Sequence, residues 1–247
     1  MKVGLFIPCF MNELYPNSAM ATLRLLNKFD LDVKYPMDQT CCGQPMANSG
    51  CSKDMKSLAL RFVEIFKEYD YIVAPTGSCV TMVKDHYKPF FEEDDKDYNK
   101  VKTSIYEVCE FLHDIIKVDK IDSVFPHKVG IHNSCHGHRG LQLGSASELN
   151  IPKNNKLKNL LNLVDGIEIV ELNRDDECCG FGGTFCVTEE DISVAMGKDR
   201  IQDHLDSDVE VMTGADMSCL MHMQGLINRD KNPLKIMHIT EILAGEE

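Results

Sequence analysis

The sequence predicts an α/β fold of two homologous Rossmann-like halves with parallel sheets, related by an internal repeat. Three observations carry that prediction. Short apolar runs alternate with segments of helical period along the chain. One cysteine pattern occurs twice: Cys9, Cys41-Cys42-Gly43 and Cys79, then Cys135, Cys178-Cys179-Gly180 and Cys219. Its surroundings repeat as well, because Lys2-Val3-Gly4 stands seven residues before Cys9 and Lys128-Val129-Gly130 seven before Cys135, while Ser78-Cys79 matches Ser218-Cys219. The gaps between cysteines are 31 and 36 residues in the first copy and 42 and 39 in the second. Connections drift in this way when a framework is duplicated and its loops are not constrained. The two halves are expected at residues 1–120 and 125–247.

The elements follow in order. Lys2 to Pro8 is apolar apart from its first residues and Gly4, and reads as a buried strand. Ser18 to Phe29 places Ala19, Leu23 and Leu26 one helical turn apart, and Ser52 to Tyr69 does the same with Met55, Ala59, Phe62 and Phe66; both read as helices. Val33 to Pro36 is a short strand between them, and Tyr71 to Pro75 a further strand, followed by a helix after Cys79. A helix from Ser104 to Lys117 is expected to close the half. The second half repeats the rhythm: strand Val129 to Asn133, helix Lys156 to Val164, strand Glu168 to Leu172, helix Glu189 to His204, strand Val209 to Thr213, a helix after Asp216 and a last strand at Lys235 to His238. Strands separated by helices imply parallel pairing with right-handed crossovers.

Composition narrows the class. With 247 residues and 43% hydrophobic content the chain can bury substantial cores. A formal net charge of -13 and the lack of a basic patch argue against nucleic acid as a partner. The run Glu92-Glu93-Asp94-Asp95-Lys96-Asp97 reads as a solvated loop. No stretch approaches the roughly 18 apolar residues of a membrane span, and the start, Met1 to Pro8, lacks the features of a secretory signal. A cytoplasmic location is therefore expected. Thiols stay reduced there, and clustered cysteines point to metal or redox chemistry rather than structural disulfides.

Each half supplies four matched thiols, the ligand count of a tetrathiolate zinc or a 4Fe-4S cluster. Cys9, Cys79, Cys135 and Cys219 fall at the carboxyl ends of expected strands, where open α/β sheets place their ligands. Cys41-Cys42 and Cys178-Cys179 fall on loops, each beside a glycine that lets backbone N–H groups approach sulfur. A disulfide between neighbouring cysteines strains the peptide between them, whereas adjacent thiolates can bind different irons of one cluster. Zinc remains an alternative occupant of one site, although neither half has the usual Cys-x2-4-Cys knuckle.

With Thr76-Gly77-Ser78-Cys79, Gly214-Ala215-Asp216-Met217-Ser218-Cys219 and Cys178-Cys179-Gly180-Phe181-Gly182-Gly183, the sequence resembles the cysteine-rich CCG-domain family over nearly its whole length. Relatives in that family include the heterodisulfide reductase B subunit and the iron-sulfur subunit of glycolate oxidase, and the match in length is to LutA-type proteins of lactate utilisation. The resemblance implies an iron-sulfur electron-transfer subunit of an L-lactate (2-hydroxy acid) oxidation complex, with LutB-type and LutC-type partner subunits. It carries one or two 4Fe-4S clusters onto Cys9, Cys41, Cys42 and Cys79, and onto Cys135, Cys178, Cys179 and Cys219. One departure stands out. Heterodisulfide reductase B subunits end each half in a Cys-x-x-Cys-like element, and here Thr76 and Asp216 replace its first cysteine. Five-thiol non-cubane clusters and direct disulfide reduction are thereby put in doubt. Two alternatives to the electron carrier are kept, a disulfide reductase-like enzyme using a thiol-ligated cluster and a zinc-holding scaffold subunit.

Other residues have plainer readings. Cys51, Cys109 and Cys186 lie outside the repeat; Cys109 is expected in the core, and Cys186 is a spare thiol near the second pair. His132, His136 and His138 surround Cys135 and are expected to be hydrogen-bonding or solvent-facing neighbours rather than ligands. Gly180-Phe181-Gly182-Gly183 lacks the full spacing of a phosphate loop and is read as packing for the site. Asp216 is expected to cap the helix that carries Cys219. No catalytic triad or carboxylate pair emerges, so the chain is read as a subunit of an oxidoreductase complex without a complete active site of its own.

Overall fold

The structure, a computed structural model, describes residues 1–246. Each half is built on four parallel strands. β1 (Lys2–Leu5), β2 (Asp32–Lys34), β3 (Tyr71–Ala74) and β4 (Ile105–Glu107) lie in the order β2-β1-β3-β4. β5 (Lys128–Ile131), β6 (Glu168–Val170), β7 (Val211–Gly214) and β8 (Lys235–His238) lie in the order β6-β5-β7-β8. The registers repeat too, with Gly4 beside Ile72 and Gly130 beside Met212. The α/β prediction with an internal repeat is thus met by two parallel sheets of one topology.

Helices fill the crossovers that parallel pairing requires. The first half contains α1 (Cys9–Leu14), α2 (Pro16–Asn27), α3 (Gln44–Asn48), α4 (Ser52–Phe66), α5 (Gly77–Thr81), α6 (Lys96–Ser104) and α7 (Val108–Glu110). The second contains α8 (Lys156–Leu161), α9 (Phe185–Thr188), α10 (Glu190–Asp206), α11 (Met217–Asp230) and α12 (Ile239–Ala244). Wide helical turns at Met82–His86, Phe111–Ile116 and His136–Gly140 extend or replace helices.

α4 and α10 are counterparts with different chemistry. α4 buries Met55, Ala59, Phe62, Val63 and Phe66 along one stripe. At the matching places α10 buries Ser193, Gly197, Arg200, Ile201 and His204.

The helix expected from Ser104 to Lys117 is three elements instead. Ser104 ends α6, Ile105–Glu107 adds the edge strand β4, and helical structure restarts at Val108. Three residues are too few to show a period of two, and the apolar run after them carried the helical signal across the break. The buried Glu107 side chain makes the restart, accepting from the N–H groups of Cys109 at 2.7 Å and Glu110 at 3.2 Å. Cys79 and Cys219 sit inside the first turns of α5 and α11 rather than ahead of them. α1, α3, α6, α9 and α12 had no counterpart in the sequence reading.

The hydrophobic core is continuous through both halves. α12, at the end of the second half, packs on α2 of the first, where the Thr22 and Thr240 hydroxyls meet at 3.2 Å. At the carboxyl ends of the sheets α5 meets the His136–Gly140 turn so closely that a Cβ on Gly77 would lie 3.2 Å from the Gly137 nitrogen. Thr76 and Asp216 pair there in an isolated β-bridge between the halves.

Candidate metal centres

Topology brings the cysteines together. In each half the chain leaves the first strand for one neighbour and crosses back to the other, so a crevice opens at the carboxyl ends of β1 and β3, and of β5 and β7. Cys9 starts α1 just past β1, and Cys79 lies in α5 just past β3. Cys135 and Cys219 hold the same places after β5 and β7. The loops after β2 and β6 deliver Cys41-Cys42 and Cys178-Cys179 to the same crevices.

Within each group the thiols form a contact chain. Cys9 meets Cys41, Cys41 meets Cys42, and Cys42 meets Cys79 with 3.3 Å between sulfurs. In the second half the order is Cys135, Cys178, Cys179 and Cys219. All eight are free thiols. The glycine after each pair does what its spacing suggested: the N–H of Gly43 points to Cys41 Sγ and that of Gly180 to Cys178 Sγ, both at 3.4 Å. Both glycines are left-handed, with φ of 86° and 83°, a conformation that side chains disfavour.

The same contacts select one thiolate per group. Contacts with Cys42 and then Cys9, together with the Gly43 N–H, pull the Cys41 pKa down to about 3. Cys135 and Cys179 donate to Cys178, and with the Gly180 N–H they bring it to about 2. The donors move the other way. Cys9 and Cys135 are raised by those same hydrogen bonds and then by burial, since a second charge beside the first is unfavourable. A bound cation removes that conflict by accepting all four sulfurs as thiolates. The donor sets therefore suit a zinc ion or an iron-sulfur cluster in each half.

Asp216 reaches further than a cap. It is 1% exposed, and it accepts from the Ser218 N–H at 3.2 Å and the Ser218 hydroxyl at 2.6 Å, as a cap on α11 should. Its carboxylate also accepts from the Ser78 N–H of α5 at 2.8 Å and faces the Ser78 hydroxyl at 3.3 Å. One carboxylate thus holds both helices that carry a last cysteine. The hydroxyl of its counterpart, Thr76, has Met11 Sδ at 3.1 Å as its one hydrogen-bond partner among the described residues.

The remaining candidates separate. Cys109 is fully buried in the core, and Cys51 is exposed. The Cys186 thiol donates to the Gly183 carbonyl at 3.0 Å. His138 is buried behind Gly144. His132 is not solvent-facing either: a ring nitrogen lies within 4.8 Å of the sulfurs of Cys179 and Cys219, and neither of its nitrogens has a hydrogen-bond partner among the described residues. Burial, then Arg200 and His204, hold its pKa well below the ordinary imidazole value. Arg200 and His204 were not singled out from sequence. The available signal was their spacing on the buried stripe of α10, where the first half has Phe62 and Phe66.

A profile of the cysteine-rich domain family known as CCG matches residues 3–84 and again 129–224. The chain belongs to the CCG family. Among relatives of this CCG protein, lactate utilization protein A of Exiguobacterium sp. is 38% identical over 249 residues, covering 98% of this chain and 96% of that one. The protein of the same name from Halalkalibacterium halodurans is 36% identical over 252 residues, covering 100% and 98%. Lactate utilization protein A 2 of Bacillus cereus is 36% identical over 247 residues, covering 99% and 98%. This CCG chain is therefore a lactate utilization protein A homologue. Among solved structures, a hypothetical protein from Helicobacter pylori superposes with a TM-score of 0.61 at 9% identity, covering 100% of this chain and 49% of that one. That likeness concerns the fold alone. No helix among the described residues is long and apolar enough to cross a membrane.

Proposed function

We propose that this protein is an iron-sulfur electron-transfer subunit of an L-lactate, or 2-hydroxy acid, oxidation complex. The observation that carries the reading is the convergence of two four-thiol groups in a full-length homologue of lactate utilization protein A. Cys9, Cys41, Cys42 and Cys79 hold one cluster, and Cys135, Cys178, Cys179 and Cys219 the other. Such a cluster, when bound, accepts and releases an electron. The chain's own part is to fix the sulfurs, donate N–H groups from Gly43 and Gly180, and keep the two sites close. Among the described residues nothing around the thiols resembles a general base set against a hydroxy acid, and this reading assigns oxidation of the substrate to the LutB-type and LutC-type partners.

The test adds L-lactate, without oxygen, to the chain alone and then to the chain with those partner subunits. Bleaching of the visible cluster absorption only with the partners present, reversed by an oxidant, is the expected result. Bleaching by the chain alone would make it the dehydrogenase itself, and no bleaching in either mixture would contradict the electron-transfer role. A second reading, a zinc-holding scaffold subunit, draws on the 3.3 Å between Cys42 and Cys79 sulfurs. That approach is nearer the spacing around one tetrahedral ion with bonds of about 2.3 Å than the spacing across a cluster. Zinc without sulfide or colour would favour it.

A further inference from the structure

The two halves place different side chains behind their thiols. Phe6 and His132 are counterparts: each stands two residues after the repeated Lys-Val-Gly. Each also donates its backbone N–H across to the third strand of its sheet, to Val73 O at 2.9 Å and Thr213 O at 2.7 Å. Phe62 and Arg200 occupy the same place on α4 and α10, as do Phe66 and His204. In the first half Phe6 meets Phe62 edge-on, with ring centres 4.9 Å apart, and lies 5.7 Å from Phe66. No polar atom of these three side chains can face the first site. In the second half all three positions are polar and buried, His132 at 2% exposure and Arg200 and His204 at 0%.

This polar cluster is incompletely satisfied. Arg200 Nη1 donates to the Arg174 carbonyl and, at 3.1 Å, to Asp203 Oδ2, but Nε and Nη2 have no partner among the described residues. His132 has none at either nitrogen, although one ring nitrogen lies within 4.8 Å of both Cys179 and Cys219 Sγ. Leaving such groups unpaired away from water is unfavourable. Buried groups with open hydrogen-bonding capacity beside thiols are accounted for if the group bound by those thiols completes them. An imidazole carries at least one N–H in either protonation state, so it can donate to a thiolate sulfur whatever the pH.

We infer that His132 is a hydrogen-bond donor to the sulfurs of the second cluster, and that the second cluster therefore has a higher reduction potential than the first. Hydrogen bonds to sulfur and net charge are among the factors that set such potentials. An added donor to sulfur favours the form with one more electron. The first site has its Gly43 N–H, as the second has that of Gly180, but phenylalanine stands where His132 would donate. An electron taken up by the chain therefore rests on the second cluster in preference to the first. The inference rests on the iron-sulfur reading above.

The test uses the full chain, purified without oxygen, with iron and sulfide measured before anything else. Redox titration followed by electron paramagnetic resonance should give two potentials. His132→Phe, which installs the first-half residue, should lower the higher potential toward the other and leave the lower one in place, whereas His132→Gln, which keeps an N–H donor, should lower it less. Independently, the unmutated protein labelled with 15N-histidine should show a histidine nitrogen coupled to one cluster only. That measurement decides if the phenylalanine variant does not load. Full iron with unshifted potentials in His132→Phe, or without histidine coupling, overturns this inference and leaves the electron-carrier reading standing. Absence of iron overturns both.

Discussion

The first half of the molecule backs its thiols with a conventional aromatic core, and the second backs the same fold with buried charge. Phe6, Phe62 and Phe66 pack edge-on and tilted, with ring centres 4.6–5.7 Å apart, and such contacts add about 0.5–1.5 kcal/mol each beyond area burial. His132, Arg200 and His204 fill the same volume with groups that are costly to bury. A buried ion pair such as Arg200 with Asp203 is weak support for stability. A protein that needed only two copies of one scaffold would gain by repeating the phenylalanines. The difference teaches that the duplicated thiol groups have unlike surroundings, aromatic in the first half and polar in the second.

The comparison breaks most severely where the halves share one residue. Asp216 holds both α5 and α11. With about 1.5–3 kcal/mol per hydrogen bond to a charged group, Asp216→Ala is expected to lower unfolding free energy by roughly 3–6 kcal/mol and to loosen both sites. Thr76→Ala, at the matching place, should change it by about 1 kcal/mol, because its hydroxyl meets only a thioether. Denaturant unfolding of the two variants measures the asymmetry. Equal losses would mean that Asp216 caps only its own helix.

Exchanging the backing residues sharpens the contrast at slightly smaller scale. Phe62→Ala should cost about 3–5 kcal/mol through a cavity among the aromatic rings. Arg200→Met should cost a similar amount, about 3–5 kcal/mol, because it leaves the buried Asp203 without its charge partner and with the Arg174 N–H as its remaining donor. Adding Asp203→Leu should recover most of that loss, as replacing a whole buried pair often does. A double variant no better than Arg200→Met alone would show that the pair, not its neighbours, holds the second half together.

A pair of opposed pH slopes separates the halves more finely. Glu107 and His238 are counterparts at the ends of β4 and β8, beside Ala74 and Gly214, and each caps the helix that follows. Burial raises Glu107 to about 8 and lowers His238 to about 4. Folded protein therefore keeps the Glu107 proton while the unfolded chain gives it up, so this contribution is present below pH of about 4.5 and is lost as pH rises through about 8. His238 works the other way: its contribution is present above the ordinary histidine value and is lost as pH falls through about 4. Each slope is at most about 1.4 kcal/mol per pH unit. Glu107→Gln should remove the loss of stability between about pH 4.5 and 8, and His238→Gln the loss as pH falls from about 6.5 to 4, and unchanged profiles would show that these caps do not titrate on folding.

Much of this was legible in the sequence because repeats and thiols announce themselves. The Cys-Cys-Gly spacing located the residues that the structure brings into two groups, and the glycines foretold the N–H groups aimed at Cys41 and Cys178. Asp216 as a helix cap was readable from its position before Ser218-Cys219. Its second grip, on Ser78, was not, since that contact depends on how the halves meet. β4 was missed because three residues at a sheet edge show no period. Arg200 and His204 were missed because charged residues on a helix are normally read as its solvated face, and only alignment of α10 on α4 reveals that they point inward.

The most direct measurement is iron and acid-labile sulfide per chain, with a visible spectrum, on anaerobically purified protein and on Cys42→Ser, Cys178→Ser and Cys109→Ser. Two clusters in the unmutated chain, one fewer in Cys42→Ser and in Cys178→Ser, and no loss in Cys109→Ser is the result this account predicts. Equal iron in all four proteins, or zinc without sulfide or colour, would contradict it.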